Sequence, residues 1–283
     1  MRETLRGVDA DRLERSCSPR RNAIRFGPSF FGLERAEVFL STCAFEPHRH
    51  DTYAIGVTTA GVQTFSYRGT RRICLPGQLH VLHPDETHDG AAGTDDGFGY
   101  RILYVAPELV RDALDGGDLP FVADPVQQSS AATRLVASVL ADIDEPIDEV
   151  AQSAIVAAIA DVLRSFGSSP RVTSRVTIDM PAVERVREYL AAHAAEQTPA
   201  ATLERIAGTD RFTIARHFRR AFGTSPDRYR TLRRLGLART AIERGEPLAR
   251  AAAEAGFADQ SHMTRQFKRA YGLTPARWAA LAE

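Results

Sequence analysis

Asp210-Arg-Phe-Thr-Ile-Ala-Arg-His-Phe-Arg-Arg-Ala-Phe-Gly-Thr-Ser-Pro-Asp-Arg-Tyr229 returns 49 residues later as Asp259-Gln-Ser-His-Met-Thr-Arg-Gln-Phe-Lys-Arg-Ala-Tyr-Gly-Leu-Thr-Pro-Ala-Arg-Trp278. Eight of the 20 aligned positions are identical, and most others keep their character. Both copies are rich in arginine. One helical unit used twice points to a device that reads a long polymer at two places, and DNA is the obvious polymer.

Each copy contains the parts of a helix-turn-helix: a supporting helix, a tight turn and a helix that projects polar residues. The first has Ala201 to Ala207, Gly208 and a helix capped by Asp210. The second has Leu248 to Ala255, Gly256 and a helix capped near Asp259 or Ser261. Ile214, Phe218 and Phe222 recur every fourth residue and form a core stripe, repeated by Met263, Phe267 and Tyr271. The opposite faces carry Arg211, Phe212 and Arg216, then Gln260, Ser261, His262 and Arg265. Arginine suits guanine and glutamine suits adenine through paired hydrogen bonds in the major groove. Arg219, Arg220, Lys268 and Arg269 lie farther along, where they meet phosphates or acidic neighbours. Between the units, a helix from Pro226 to Arg244 spans 19 residues. That is about 28 Å at the helical rise, against roughly 34 Å for one DNA turn.

The net charge of zero is a cancellation. Positions 180–283 hold 18 basic and 11 acidic residues, +7, which leaves 18 basic and 25 acidic, −7, for positions 1–179. The C-terminal third is the polyanion-binding candidate, and the acidic remainder is free for another task.

Leu203, Gly208, Arg216, Phe218, Gly223 and Pro226, followed by Ala252, Phe267, Gly272, Pro275 and Trp278, resemble the C-terminal domain of AraC/XylS-family transcription regulators. The most specific stretch is Gly256-Phe-Ala-Asp-Gln-Ser-His-Met-Thr-Arg-Gln-Phe-Lys-Arg269. The resemblance covers about 100 residues. One departure is Ala251, where the family usually carries a larger aliphatic residue.

Upstream, Tyr53-Ala-Ile-Gly-Val-Thr-Thr59, Val62-Gln-Thr-Phe-Ser-Tyr67, Gln78-Leu-His-Val-Leu82 and Tyr100-Arg-Ile-Leu-Tyr-Val105 read as short strands divided by glycine turns. The pattern from Ala36 to about Val105 predicts a small antiparallel barrel or sandwich, with no clear periodicity before it. Gly90-Ala-Ala-Gly-Thr-Asp-Asp-Gly reads as a loop. Helical spacing follows at Pro107–Leu114, Ser129–Ile143 and Ile147–Phe166. The last two pack on the barrel or against a second copy; the spacing leaves both open. Gly167-Ser-Ser-Pro-Arg-Val-Thr-Ser174 reads as linker.

This barrel resembles the cupin-like, arabinose-binding-type effector domain that family members often carry. The fold class is therefore α+β with two domains: 1–166 for effector binding and dimerisation, 167–180 as linker, and 181–283 as an all-α domain with two helix-turn-helix units. The resemblance implies a DNA-binding regulator, usually an activator, that answers to a small-molecule effector in the barrel. Its implied partners are double-stranded promoter DNA, RNA polymerase and a second copy in a homodimer. His48, His50, His83 and His88 are the effector-site candidates. His48, His50 and His88 also resemble a three-histidine cupin metal site, so a metal-dependent cupin enzyme joined to a DNA-binding domain is the alternative. The glutamate that usually follows the His-x-His pair is missing, and no metal is assigned. No nucleophile elbow, P-loop or dinucleotide fingerprint occurs, so no catalytic residue and no cofactor are assigned.

No run of 18 apolar residues indicates a membrane span. Met1-Arg-Glu-Thr-Leu-Arg6 lacks a signal-peptide core. Cys17, Cys43 and Cys74 make neither a metal-ligand spacing nor a disulfide framework. A cytoplasmic location is expected.

Overall fold

The computed structural model describes residues 22–41, 43–167 and 178–281. Its strands are β1 (Ala23–Phe26), β2 (Leu33–Leu40), β3 (Phe45–His48), β4 (Tyr53–Gly61), β5 (Gln63–Tyr67), β6 (Thr70–Cys74), β7 (Leu79–Leu82), β8 (His88–Ala92), β9 (Phe98–Val105) and β10 (Val126–Gln127). They form two antiparallel sheets, ordered β1-β2-β9-β4-β7-β10 and β3-β8-β5-β6. The sheet starts earlier than the sequence pattern indicates. Only Ile24 of β1 is buried, so this strand carries no alternation to read; its pairing with β2 makes it a strand. The glycine-rich stretch expected as a loop also begins as strand. Gly90 pairs with Phe45, and Ala91 and Ala92 pair with Thr64 and Gln63, partners supplied from distant sequence.

The larger sheet is buried on both faces. Along β9, Phe98, Tyr100 and Ile102 join the interior core with Phe65 and Tyr67 of the second sheet. Leu103 and Val105 belong to a core on the other side, as the two-residue period of a strand dictates. That outer core is covered by α1 (Pro107–Ala113), α2 (Ser130–Val139) and α3 (Glu149–Phe166). Val136, Val156, Ile159 and Leu163 pack there with Leu33, Tyr53 and Ile55, so α2 and α3 cover the chain's own sheet. Each such side chain, fully buried, contributes roughly 1.5–3 kcal/mol. Val150, at the start of α3, stays 78 % exposed.

Most of the stretch read as linker, 168–177, lies outside the described residues. The C-terminal helices are α4 (Met180–Ala192), α5 (Ala200–Ala207), α6 (Arg211–Phe222), α7 (Pro226–Glu243), α8 (Leu248–Glu254), α9 (Gln260–Tyr271) and α10 (Pro275–Leu281). Their ends follow local chemistry. The Asp210 carboxylate accepts from the backbone N–H groups of Phe212 and Thr213 at 2.9 and 3.0 Å. Asp259 accepts from His262 N–H at 2.6 Å, which makes Asp259 the cap of α9. Ile214, Phe218, Phe222, Met263 and Phe267 are all buried. Ala251 is fully buried where α8 packs on α7.

The two helix-turn-helix units are stabilised differently. The first has a core of its own, where Val183, Val186 and Leu190 meet Ile214, Phe218 and Phe222. The second shares its core with the barrel interior: Leu232, Met263, Phe267 and Trp278 join one cluster with Val38, Phe65 and Ile102. Trp278 lies 5.9 Å from Phe26 between ring centroids. β3 runs beside α9, with Glu46 N–H donating to the Gly272 carbonyl and Arg49 N–H to the Arg269 carbonyl, both at 3.0 Å.

Candidate functional site

The helices α6 and α9 present most of the polar residues singled out from the sequence. Arg211, Phe212, Arg216, Gln260, Ser261 and Arg265 are exposed. His262 is half-buried and packs edge-on to Phe257, 5.5 Å between centroids. Arg211 covers the Phe212 ring at 5.1 Å, and Arg216 donates to the Thr213 hydroxyl at 3.3 Å. Arg216 and Arg265 occupy equivalent positions in the two units. The intervening α7 has 18 residues, about 27 Å of helix. Two cations farther along are engaged by the N-terminal half. Lys268 pairs with Glu46 at 2.7 Å and Arg220 with Asp118 at 3.3 Å.

A cavity of about 680 Å³ lies where the barrel interior meets the second helix-turn-helix unit. Ile24, Val38, Phe65, Leu82 and Ile102 form its barrel side. Leu232, Arg233, Arg239, Tyr271 and Trp278 close it from α7, α9 and α10. The three arginines that line it are paired. Arg239 holds Glu34 through both carboxylate oxygens, Arg233 meets Asp51 at 2.8 Å, and Arg187 meets Glu108 at 3.5 Å.

His48, His50 and His88 converge on this cavity. The ring of His88 lies 4.3 Å from that of His48 and 4.9 Å from that of His50. Burial, reinforced by the charge of His88, lowers the pKa of His50 to about 3. Burial lowers that of His88 to about 4. His48 is pushed well below its ordinary value by burial and then by its two histidine neighbours. All three are neutral near pH 7.

His83 sits elsewhere. Its Nε2 accepts from Val122 N–H at 3.0 Å, and its ring packs between Tyr53 and Phe121, so it ties a loop to the sheet and does not line the cavity. His80 takes the cavity position instead. It is 1 % exposed, its pKa is lowered to about 3 by burial, and its Nδ1 has no hydrogen-bond partner. A period-two reading of Leu79-His-Val-Leu82 places His80 and Leu82 on one face, the signal that would have found it. The cavity walls from α7 and α10 carry no such local signal. Among the described residues, no group of three or more His, Cys, Asp or Glu side chains is arranged to hold a metal ion. Nor is any described helix long and apolar enough to cross a membrane.

Comparison with known proteins agrees with this division. The AraC-like ligand binding domain matches residues 30–160, and a helix-turn-helix domain matches residues 203–280. The chain is 28 % identical over 223 residues to an uncharacterized HTH-type transcriptional regulator, YbfI, of Bacillus subtilis (strain 168), covering 77 % of this chain and 81 % of that protein. The fold is similar to that of ToxT from Vibrio cholerae, with a TM-score of 0.62 and 11 % identity over 89 % of this chain and 99 % of that one. Unsaturated fatty acid-bound ToxT from Vibrio cholerae strain SCE256 gives a TM-score of 0.61 at 13 % identity, covering 92 % and 95 %. Together these define a DNA-binding transcription regulator with a ligand-binding domain. The chain belongs to the AraC family of helix-turn-helix regulators, with an N-terminal AraC-like ligand-binding domain. This is a non-enzymatic family, which overturns the alternative of a cupin enzyme.

Proposed function

We propose that this protein is a cytoplasmic transcription activator whose DNA engagement changes when a small molecule occupies the cavity. The observation that carries this reading is the double wall: one cavity is closed by the barrel and by the unit that bears α9. A ligand there touches both halves, so it has differential affinity for arrangements in which they are docked or apart. ToxT, of similar fold, has been captured with an unsaturated fatty acid, which supports a small organic occupant.

In this reading residues 1–166 bind the effector and pair two copies of the chain, 167–180 connect, and 181–283 bind promoter DNA. His48, His50 and His88 are effector contacts, joined by His80. Arg211, Phe212, Arg216, Gln260, Ser261, His262 and Arg265 contact DNA. RNA polymerase is the partner recruited.

Selection of sites from a random duplex pool tests the DNA part. The selected duplex is then titrated with wild type, Arg216→Ala and Arg265→Ala. Each change is expected to cost roughly 1–3 kcal/mol and to relax preference at separate positions about one turn apart. Transcription in vitro from that duplex tests activation. If no sequence is enriched and binding disappears at modest salt, only generic phosphate attraction remains.

A further inference from the structure

We propose that the cavity takes a mostly apolar molecule that is not an anion, held through a hydrogen-bond donor, a hydroxyl or an amine, that donates to the imidazole cluster of His48, His50 and His88. This rests on the cavity being the effector site.

The tautomers set the polarity of the site. Nδ1 of His48 lies 2.8 Å from the Glu46 carbonyl oxygen, Nδ1 of His50 2.9 Å from that of Thr52, and Nδ1 of His88 3.0 Å from that of Glu86. A carbonyl only accepts, so each Nδ1 carries the proton and each Nε2 keeps a lone pair. The Thr52 hydroxyl, 3.2 Å from the same His50 nitrogen, shares that N–H as a second acceptor. Three neutral imidazoles thus give the cavity an accepting pole. A hydroxyl donates its one proton to it, and an ammonium up to three. A carboxylate only accepts, and would bring negative charge against lone pairs.

The charges of the wall lead to the same ligand. Arg187, Arg233 and Arg239 are already occupied by Glu108, Asp51 and Glu34. An anion entering the cavity loses its hydration and gains no unpaired cation, whereas a donor also meets Asp89, whose carboxylate accepts from the Ser66 N–H at 2.6 Å and pairs with no arginine among the described residues. The remaining wall, with Ile24, Phe65, Ile102, Leu232 and Trp278, suits an apolar body, and 680 Å³ falls in the range of small-molecule sites. Three lone pairs also suit a metal cation, but these rings are not arranged as a ligand set.

Trp278 is the sole tryptophan and lines the cavity, so its emission reports occupancy. The full chain is titrated separately with 4-phenylbutan-1-ol, 4-phenylbutanoate, 4-phenylbutan-1-amine and zinc ion, with thermal melting in parallel. The alcohol is expected to change Trp278 emission saturably and raise the melting temperature. The amine should bind at least as tightly as the alcohol, and the carboxylate at least about tenfold more weakly than either, which corresponds to about 1.4 kcal/mol. His88→Leu should weaken alcohol binding roughly three- to tenfold. His88→Gln, which keeps an accepting oxygen, should recover part of it. The ligand class is overturned if the carboxylate binds as tightly as the alcohol, if zinc binds and excludes the alcohol, or if H88L leaves its affinity unchanged. Tight binding of the carboxylate still leaves the cavity as an effector site. If none of the organic probes changes emission or melting, both readings fall.

Discussion

Arg239 on α7 reaches across to β2 and holds both carboxylate oxygens of Glu34, with Nη1 3.0 Å from Oε2. Both side chains are about four-fifths buried, at 20 % and 19 % exposure. The guanidinium also lies 5.0 Å over the Phe26 ring. This pair fastens the DNA-binding half to the barrel at the edge of the cavity. Removing one partner strands a charge that the fold has taken out of water. Arg239→Ala and Glu34→Ala should each destabilise the protein by about 1.5–3 kcal/mol. Urea unfolding followed by Trp278 emission measures this. The double variant should lose clearly less than the sum; strict additivity would mean that the two groups are not coupled.

Acid should destabilise the protein through its buried histidines. Burial holds His50 and His80 at about 3 and His88 at about 4, against roughly 6.5 in an unfolded chain. Below that value the unfolded state binds protons that the folded state refuses. The histidine contribution is therefore complete above about pH 6.5 and is lost as pH falls towards about 4 for His88 and about 3 for His50 and His80. Between pH 6.5 and 5, His50→Gln should flatten the slope of stability against pH by about one proton at most. An unchanged slope would place His50 in water.

Gly272 has φ +70°, and a Cβ there would lie 2.8 Å from His48 Nδ1 and 2.9 Å from the Glu46 carbonyl oxygen. Gly208 shares φ +70° but has nothing within 4 Å. Gly208→Ala should cost roughly 1–2 kcal/mol for left-handed backbone alone. Gly272→Ala should cost more and should also raise protease sensitivity between the two halves. Equal effects would show that the close approach of β3 to α9 adds nothing.

The pairs Lys268–Glu46 and Arg220–Asp118 tie up two cations of the DNA-binding half, yet each is well exposed to solvent. Exposed pairs contribute little stability, so breaking them should leave the fold intact. Glu46→Gln should free Lys268 for phosphate. DNA binding, measured by anisotropy over a salt series, should then tighten and its salt slope steepen by about one. A slope equal to that of wild type would place Lys268 away from the DNA backbone.

Both helix-turn-helix units were legible because a helix declares its buried face and its ends within a few residues. Ile214, Phe218 and Phe222 mark the face, and Asp210 and Gly223 mark the ends. The strands of β4 and β9 were legible from composition, whereas β1 was not, since only Ile24 of its residues is buried. His48, His50 and His88 stood out as residue types, but nothing local separated them from His83, whose partner Val122 lies in a distant loop.

From its own order of residues the chain determines the repeat, the helix faces, the caps and the opposite charges of its two parts. These rest on interactions between near neighbours, which any segment carries with it. Only the tertiary structure decides that the second unit gives up a separate core and shares the barrel's, while the first does not. It likewise decides that His80 replaces His83 at the cavity and that Trp278 and Arg239 form part of its wall. A cavity exists where side chains from distant elements converge, and their mutual register is set by packing and pairing across the fold.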